Sequence, residues 1–130
     1  MAYNVLLIGS GNVGSRHIQG ILKSNFNINL HVVEINSLSI NVTKKRILEV
    51  KSKNKKIFFH KNLQFKKKIF DLSIIATNAY GRLNIIKKML KFKIIKNCII
   101  EKIAFQSLKD YKKSIELLEI NGINSWVNCA

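Results

Sequence analysis

The chain has 130 residues, the length of one domain, and its 47% hydrophobic content is enough to bury a core, which excludes a disordered polymer. Its 23 Lys and Arg against 7 Asp and Glu give a formal charge of +16, ordinarily the mark of a polyanionic partner. The lysines come with a heavy load of Asn and Ile along the whole chain, and the clusters KSKNKK and KKK lack the aromatic–basic interleaving of a strand-binding platform. The charge therefore reads as a solvated basic surface, and nucleic acid is set aside as a partner.

From the N-terminus, "NVLLI" is a short continuous apolar run, expected of a parallel strand covered on both faces. "NVGSRHIQGILKS" reads as a helix, "INLHVVEI" as a second strand and "SLSINVTKKRILEVKSK" as a longer amphipathic helix. "KIFFH" is a third strand, "FDLSIIAT" a fourth, "GRLNIIKKMLKF" a helix and "NCIIEK" a fifth strand. "SLKDYKKSIELLEINGI" is a helix stopped at Gly122, and "NSWVN" a sixth strand. This unbroken alternation predicts an α/β fold: a doubly wound parallel sheet in the order 3-2-1-4-5-6, with helices on both faces. Cys98 and Cys129 lack metal-ligand spacing and read as free thiols of a reducing cytoplasm; no metal site is expected. The first apolar run has no charged region before it and is only a strand long, so neither a signal peptide nor a membrane span is expected.

The junction of the first strand and helix carries the chemistry. Gly9, Gly11 and Gly14 form G-x-G-x-x-G, in which the first glycine permits a tight turn, the second lets backbone approach a pyrophosphate, and the third lets helix and strand pack closely. The helix N-terminus, with Asn12 and Val13, then turns N–H groups and the positive end of its dipole toward the phosphates. Glu34 closes the second strand about twenty residues on, where an acid accepts the ribose hydroxyls of a dinucleotide and repels a 2′-phosphate. NAD is therefore expected ahead of NADP. Lys44, Lys45 and Arg46 on the next helix read as its solvent-facing surface.

"GSGNVGSRH", "DLSIIATNA" and "IIEKIAFQSLKDYKKSIELLEINGI", in this order, resemble the glucose–fructose oxidoreductase, inositol dehydrogenase and MocA-like family of nicotinamide-dependent oxidoreductases. The resemblance implies an N-terminal Rossmann domain over residues 1–130, normally followed by an α+β domain that binds substrate and mediates oligomerisation. It also implies hydride transfer between NAD(P) and a hydroxyl carbon of a sugar, cyclitol or surface-carbohydrate precursor. Carried over by motif, Ala76, Thr77 and Asn78 lie against the nicotinamide half, and Glu101 and Lys102 match the family's "EK". Asn78 stands where the family often has proline, Arg82 where it often has histidine, and Ile103 replaces the proline of "EKP". Lys102 is the candidate catalytic residue: its ammonium would hydrogen-bond the substrate hydroxyl and favour the alkoxide. His17 reads as a helix residue with local contacts, His31 and His60 carry no signal, and Trp126 reads as core.

The family's second domain, with its general base and most substrate contacts, would begin after "WVNCA". The expectation is thus the nucleotide-binding half of an oxidoreductase, with a carbohydrate substrate only if a second domain is supplied, and not catalytically complete alone. A different class remains open: a free-standing regulatory module sensing NAD or an adenine nucleotide, as in potassium-transport regulators, although such a sensor has no need of Lys102. A nucleic-acid binder would show steep salt dependence without cofactor competition.

Overall fold

The computed structural model describes residues 1–66 and 69–129; Lys67 and Lys68 of the KKK run and the terminal Ala130 lie outside the described residues. The first half of the chain runs through β1 (Tyr3–Ile8), α1 (Asn12–Lys23), β2 (Ile28–Val33), α2 (Ser37–Leu48) and β3 (Lys55–His60). The second half holds β4 (Ile69–Phe70), β5 (Leu72–Ile75), α3 (Arg82–Phe92), β6 (Ile94–Ile95), β7 (Asn97–Glu101), α4 (Leu108–Ile120) and β8 (Asn124–Asn128). Six strands form one sheet in the order β3-β2-β1-β5-β7-β8, every neighbouring pair parallel. With the short strands β4 and β6 set aside, this is the 3-2-1-4-5-6 order of a doubly wound Rossmann-type sheet.

β1 sits at the centre, and its sequence shows why. Val5 and Leu7 pack under α1 with Ile18 and Leu22, whereas Leu6 and Ile8 pack on the opposite face with Ile86 and Met89 of α3 and Leu118 of α4. All four β1 residues are at most 5% exposed, and each such side chain stabilises the fold by about 1.5–3 kcal/mol. Right-handed crossovers running one way from β1 put α1 and α2 on one face; those running the other way from β5 put α3 and α4 on the other. The direction reverses between β1 and β5, so the carboxyl ends of these two strands leave a crevice.

The helices begin and end on local chemistry. The Asn36 side chain accepts hydrogen bonds from Leu38 N and Ser39 N at the start of α2, and Ser107 accepts one from Asp110 N at the start of α4. Three sequence expectations change. α2 ends at Leu48 rather than near Lys53, because beyond Ile47 and Val50 the KSKNK run offers nothing to pack on the core. The expected fourth strand is divided: Ile69–Phe70 pairs with Ile94–Ile95 in a separate two-stranded ladder, and β5 starts after Asp71. Trp126 is not core: it is 56% exposed, since no helix of the described chain covers its face of β8.

Candidate functional site

The turn from β1 to α1 separates the three glycines by what each must do. Gly9 has φ +89°, and a Cβ there would sit 2.7 Å from Thr77 N. A Cβ on Gly14 would fall 1.9 Å from the Gly9 carbonyl oxygen. Both are demanded by packing. Gly11 is different: its φ of −64° is open to any residue, and a Cβ would meet nothing within 4 Å. The fold leaves a cradle here that a side chain would fill. It opens at the first turn of α1, where no side chain caps the helix and no acidic residue lies in the first turn, as an anion-binding N-terminus requires.

Surrounding side chains hold this turn rigid. Fully buried Thr43 of α2 donates its hydroxyl to Ser10 O at 2.7 Å, and the Ser15 hydroxyl donates to Gly11 O at 2.7 Å. Arg46 corrects its reading as plain helix surface: its Nη1 donates to Asn12 O at 2.8 Å and to the Ser15 hydroxyl at 2.5 Å, tying α2 to the start of α1. Lys44 lies over the Phe59 ring, 5.6 Å from its centroid.

Glu34 follows directly on β2. Its Oε1 accepts from Ser10 N at 3.0 Å and its Oε2 from Asn36 N at 3.1 Å, so the carboxylate is held against the glycine turn. It lines a cleft of about 490 Å³ with Gly9 and Thr77, whose apolar walls include Leu63, Ile85 and Phe92. An acid beside an apolar slot suits a ribose hydroxyl pair next to a flat heterocycle.

Three further candidates, Val13, Glu101 and Lys102, meet on the other face of the sheet. Val13, His17, Glu101, Lys102 and Asn128 line a second groove, of about 630 Å³, between α1 and the carboxyl ends of β7 and β8. Glu101 is buried, and its carboxylate accepts from His17 Nε2 at 2.5 Å and from Asn128 Nδ2 at 2.7 Å. Burial alone would raise its pKa. The hydrogen bonds from Asn128 and His17, the His17 charge and the Lys102 amide outweigh burial and hold the carboxyl below its ordinary value. His17 is thus no local helix residue but a long-range partner of Glu101. Exposed Lys102 follows next in the chain, and the Lys102–Ile103 peptide is cis.

Ala76 is half-buried behind the glycine turn, with its N–H donated to Ile8 O at 2.8 Å. Thr77 donates its hydroxyl to Asn78 O at 3.0 Å, and Asn78 is exposed. Sequence reasoning missed the role of Arg82, the largest fully buried side chain of the domain. Its guanidinium donates to the carbonyls of Thr77, Glu101, Ile103 and Ala104. Burial pulls its pKa down, and the Glu101 charge opposes that pull. No local pattern announces such a group, because its partners lie up to 22 residues away. Among the described residues no helix is long and apolar enough to cross a membrane, and no cluster of His, Cys, Asp and Glu could hold a metal ion.

No protein-family model and no curated protein matches the chain. Solved structures do match its fold, oxidoreductases among them. The WlbA dehydrogenase from Chromobacterium violaceum, solved with NADH and UDP-GlcNAcA, superposes with a TM-score of 0.73 at 14% identity, over 98% of this chain and 35% of its own. The WlbA dehydrogenase from Bordetella pertussis, also with NADH and UDP-GlcNAcA, gives 0.71 at 15% identity, over 98% and 37%. An oxidoreductase from Bacillus cereus gives 0.63 at 20% identity, over 96% and 34%. The chain therefore has the Rossmann fold of these dehydrogenases and spans about a third of their length.

Proposed function

We propose that this chain is the nucleotide-binding half of a nicotinamide-dependent oxidoreductase of the glucose–fructose oxidoreductase, inositol dehydrogenase and MocA-like family. The observation that carries the reading is Gly11: packing demands Gly9 and Gly14, whereas the space before Gly11 is open and faces an uncapped helix N-terminus. A pyrophosphate fits that cradle, accepting hydrogen bonds from backbone N–H groups around Asn12 and Val13. Glu34 would accept the adenosine ribose hydroxyls, and its charge opposes a 2′-phosphate, so NAD is the proposed cofactor over NADP.

Across the edge, Ala76, Thr77 and Asn78 would flank the nicotinamide half. Glu101, committed to His17 and Asn128, would set the backbone from which Lys102 projects. The bound nicotinamide would supply a hydride acceptor. Lys102 would hydrogen-bond the hydroxyl of a carbohydrate or cyclitol and stabilise negative charge on its oxygen. The likeness to dehydrogenases solved with a nucleotide sugar supports that substrate class. The chain covers only about a third of those proteins, so the general base and substrate contacts are proposed to come from a further domain.

Calorimetric titration with NAD and NADP tests the reading. NAD should bind more tightly, and Glu34→Ala should narrow the difference. Equal or tighter NADP binding would overturn the role of Glu34; absence of binding to either would overturn the cofactor assignment.

A further inference from the structure

We infer that Arg82 is the positioning residue of the nicotinamide-side edge, its one guanidinium locking the turn that carries Thr77 to the turn that carries Lys102. The inference rests on the cofactor reading above. The two turns, residues 77–80 and 102–106, contain no helix or strand, so beyond the Ile75–Ile100 pairing near their roots the sheet does not fix their relative placement. Arg82, 2% exposed at the first position of α3, does so instead. Its Nη1 donates to the carbonyls of Glu101, Ile103 (2.8 Å) and Ala104 (3.0 Å), and its Nη2 to the carbonyl of Thr77.

The arrangement is costly for a residue that only fills space. A charged group is removed from water, and its Nε is buried without a hydrogen-bond partner. An apolar side chain of similar volume would fill the core without either penalty. What only the planar fork provides is several donors in fixed directions, enough to hold two turns at once. From the opposite side, the Glu101 carboxylate on His17 and Asn128 anchors the start of the second turn. Lys102 is therefore suspended between two anchored residues while its side chain stays exposed. Glu34 and the start of α1 have their own supports in the Ser10 amide, Thr43 and Ser15, and of the three glycines only Gly9 packs directly on the Thr77 turn. Loss of Arg82 should accordingly disturb the nicotinamide half, where both turns meet, more than the adenosine half, which shares only Thr77 with them.

The test is titration of ADP and of NADH into the unaltered chain and into Arg82→Lys and Arg82→His. NADH is also followed by its nicotinamide fluorescence, and each variant's thermal melt is recorded. The unaltered chain should bind NADH more tightly than ADP. In Arg82→Lys, NADH affinity should fall about tenfold or more, the scale of one lost charge-assisted hydrogen bond, and ADP affinity by clearly less, about threefold at most. The fluorescence change of bound NADH should be lost in both variants, since neither side chain carries the planar fork. Equal weakening of ADP and NADH, weakening of neither, or failure of both variants to fold would overturn the inference in favour of a purely structural arginine. If the unaltered chain binds neither nucleotide, the cofactor reading itself fails, and the inference fails with it.

Discussion

Replacing Gly14 by alanine and Gly11 by valine should separate folding from binding within one turn. At Gly14 the new methyl would lie 1.9 Å from the Gly9 carbonyl oxygen and 2.8 Å from its carbon, closer than real Cβ contacts come. Gly9 cannot retreat, since the position of its own missing Cβ is 2.7 Å from Thr77 N. Backbone must move against backbone, and overpacking of this kind costs about 3 kcal/mol or more, against a total stability of roughly 5–15 kcal/mol. At Gly11 two small terms oppose each other. A side chain restricts the unfolded chain, a gain of about 0.4–1 kcal/mol, and loses the modest preference for glycine at a helix N-cap, a cost of similar size. Gly11→Val should therefore change stability by less than about 1 kcal/mol and yet abolish NAD binding. Urea denaturation followed by circular dichroism measures the first quantity and calorimetry with NAD the second. Gly14→Ala as stable as the unaltered chain would refute the packing argument. Undiminished NAD binding by Gly11→Val would refute the pyrophosphate cradle.

The two thiols should react very differently. Burial pushes the Cys98 thiol up to about 11, whereas Cys129 is exposed. A thiol reagent at pH 8 should therefore titrate one equivalent quickly and the second only on unfolding; two fast equivalents would contradict the buried position of Cys98. Acid should destabilise the domain in two stages. Burial, and then the charge of Lys93, lowers the His60 pKa below its ordinary 6.5. The unfolded chain then binds the proton that the folded side chain refuses, and stability falls as the pH drops below about 6.5. The Glu101 carboxyl is also lowered in the fold, so protonating it adds a further loss below about 4.5. The thermal midpoint should fall between pH 7 and 5.5, and His60→Phe, which keeps the ring stacked on Phe65, should flatten that stage. A midpoint independent of pH over this range in the unaltered chain would contradict it.

The parallel sheet was legible in the sequence because short, doubly apolar runs such as "NVLLI" alternate with amphipathic helices, and right-handed crossovers leave only a few windings for that alternation, of which the glycine turn after the first strand favours this one. The glycine turn was legible for a related reason: a tight turn at Gly9, an open position at Gly11 and a helix–strand contact at Gly14 lie within six residues, so their spacing survives as a local motif. Glu34 could be placed because one strand and one helix separate it from that turn. The tertiary structure alone decided the rest of the site. His17 meets Glu101 across 84 positions, Asn128 meets it across 27, and Arg82 gathers carbonyls from two turns. No sequence pattern encodes such bonds, since their partners become neighbours only when β5, β7 and β8 align. The exposure of Trp126 has the same origin: an aromatic residue in a strand reads as core, but burial depends on whether another element crosses its face. Composition and periodicity state which residues seek an interior, and only the completed winding of the chain determines which of them find one.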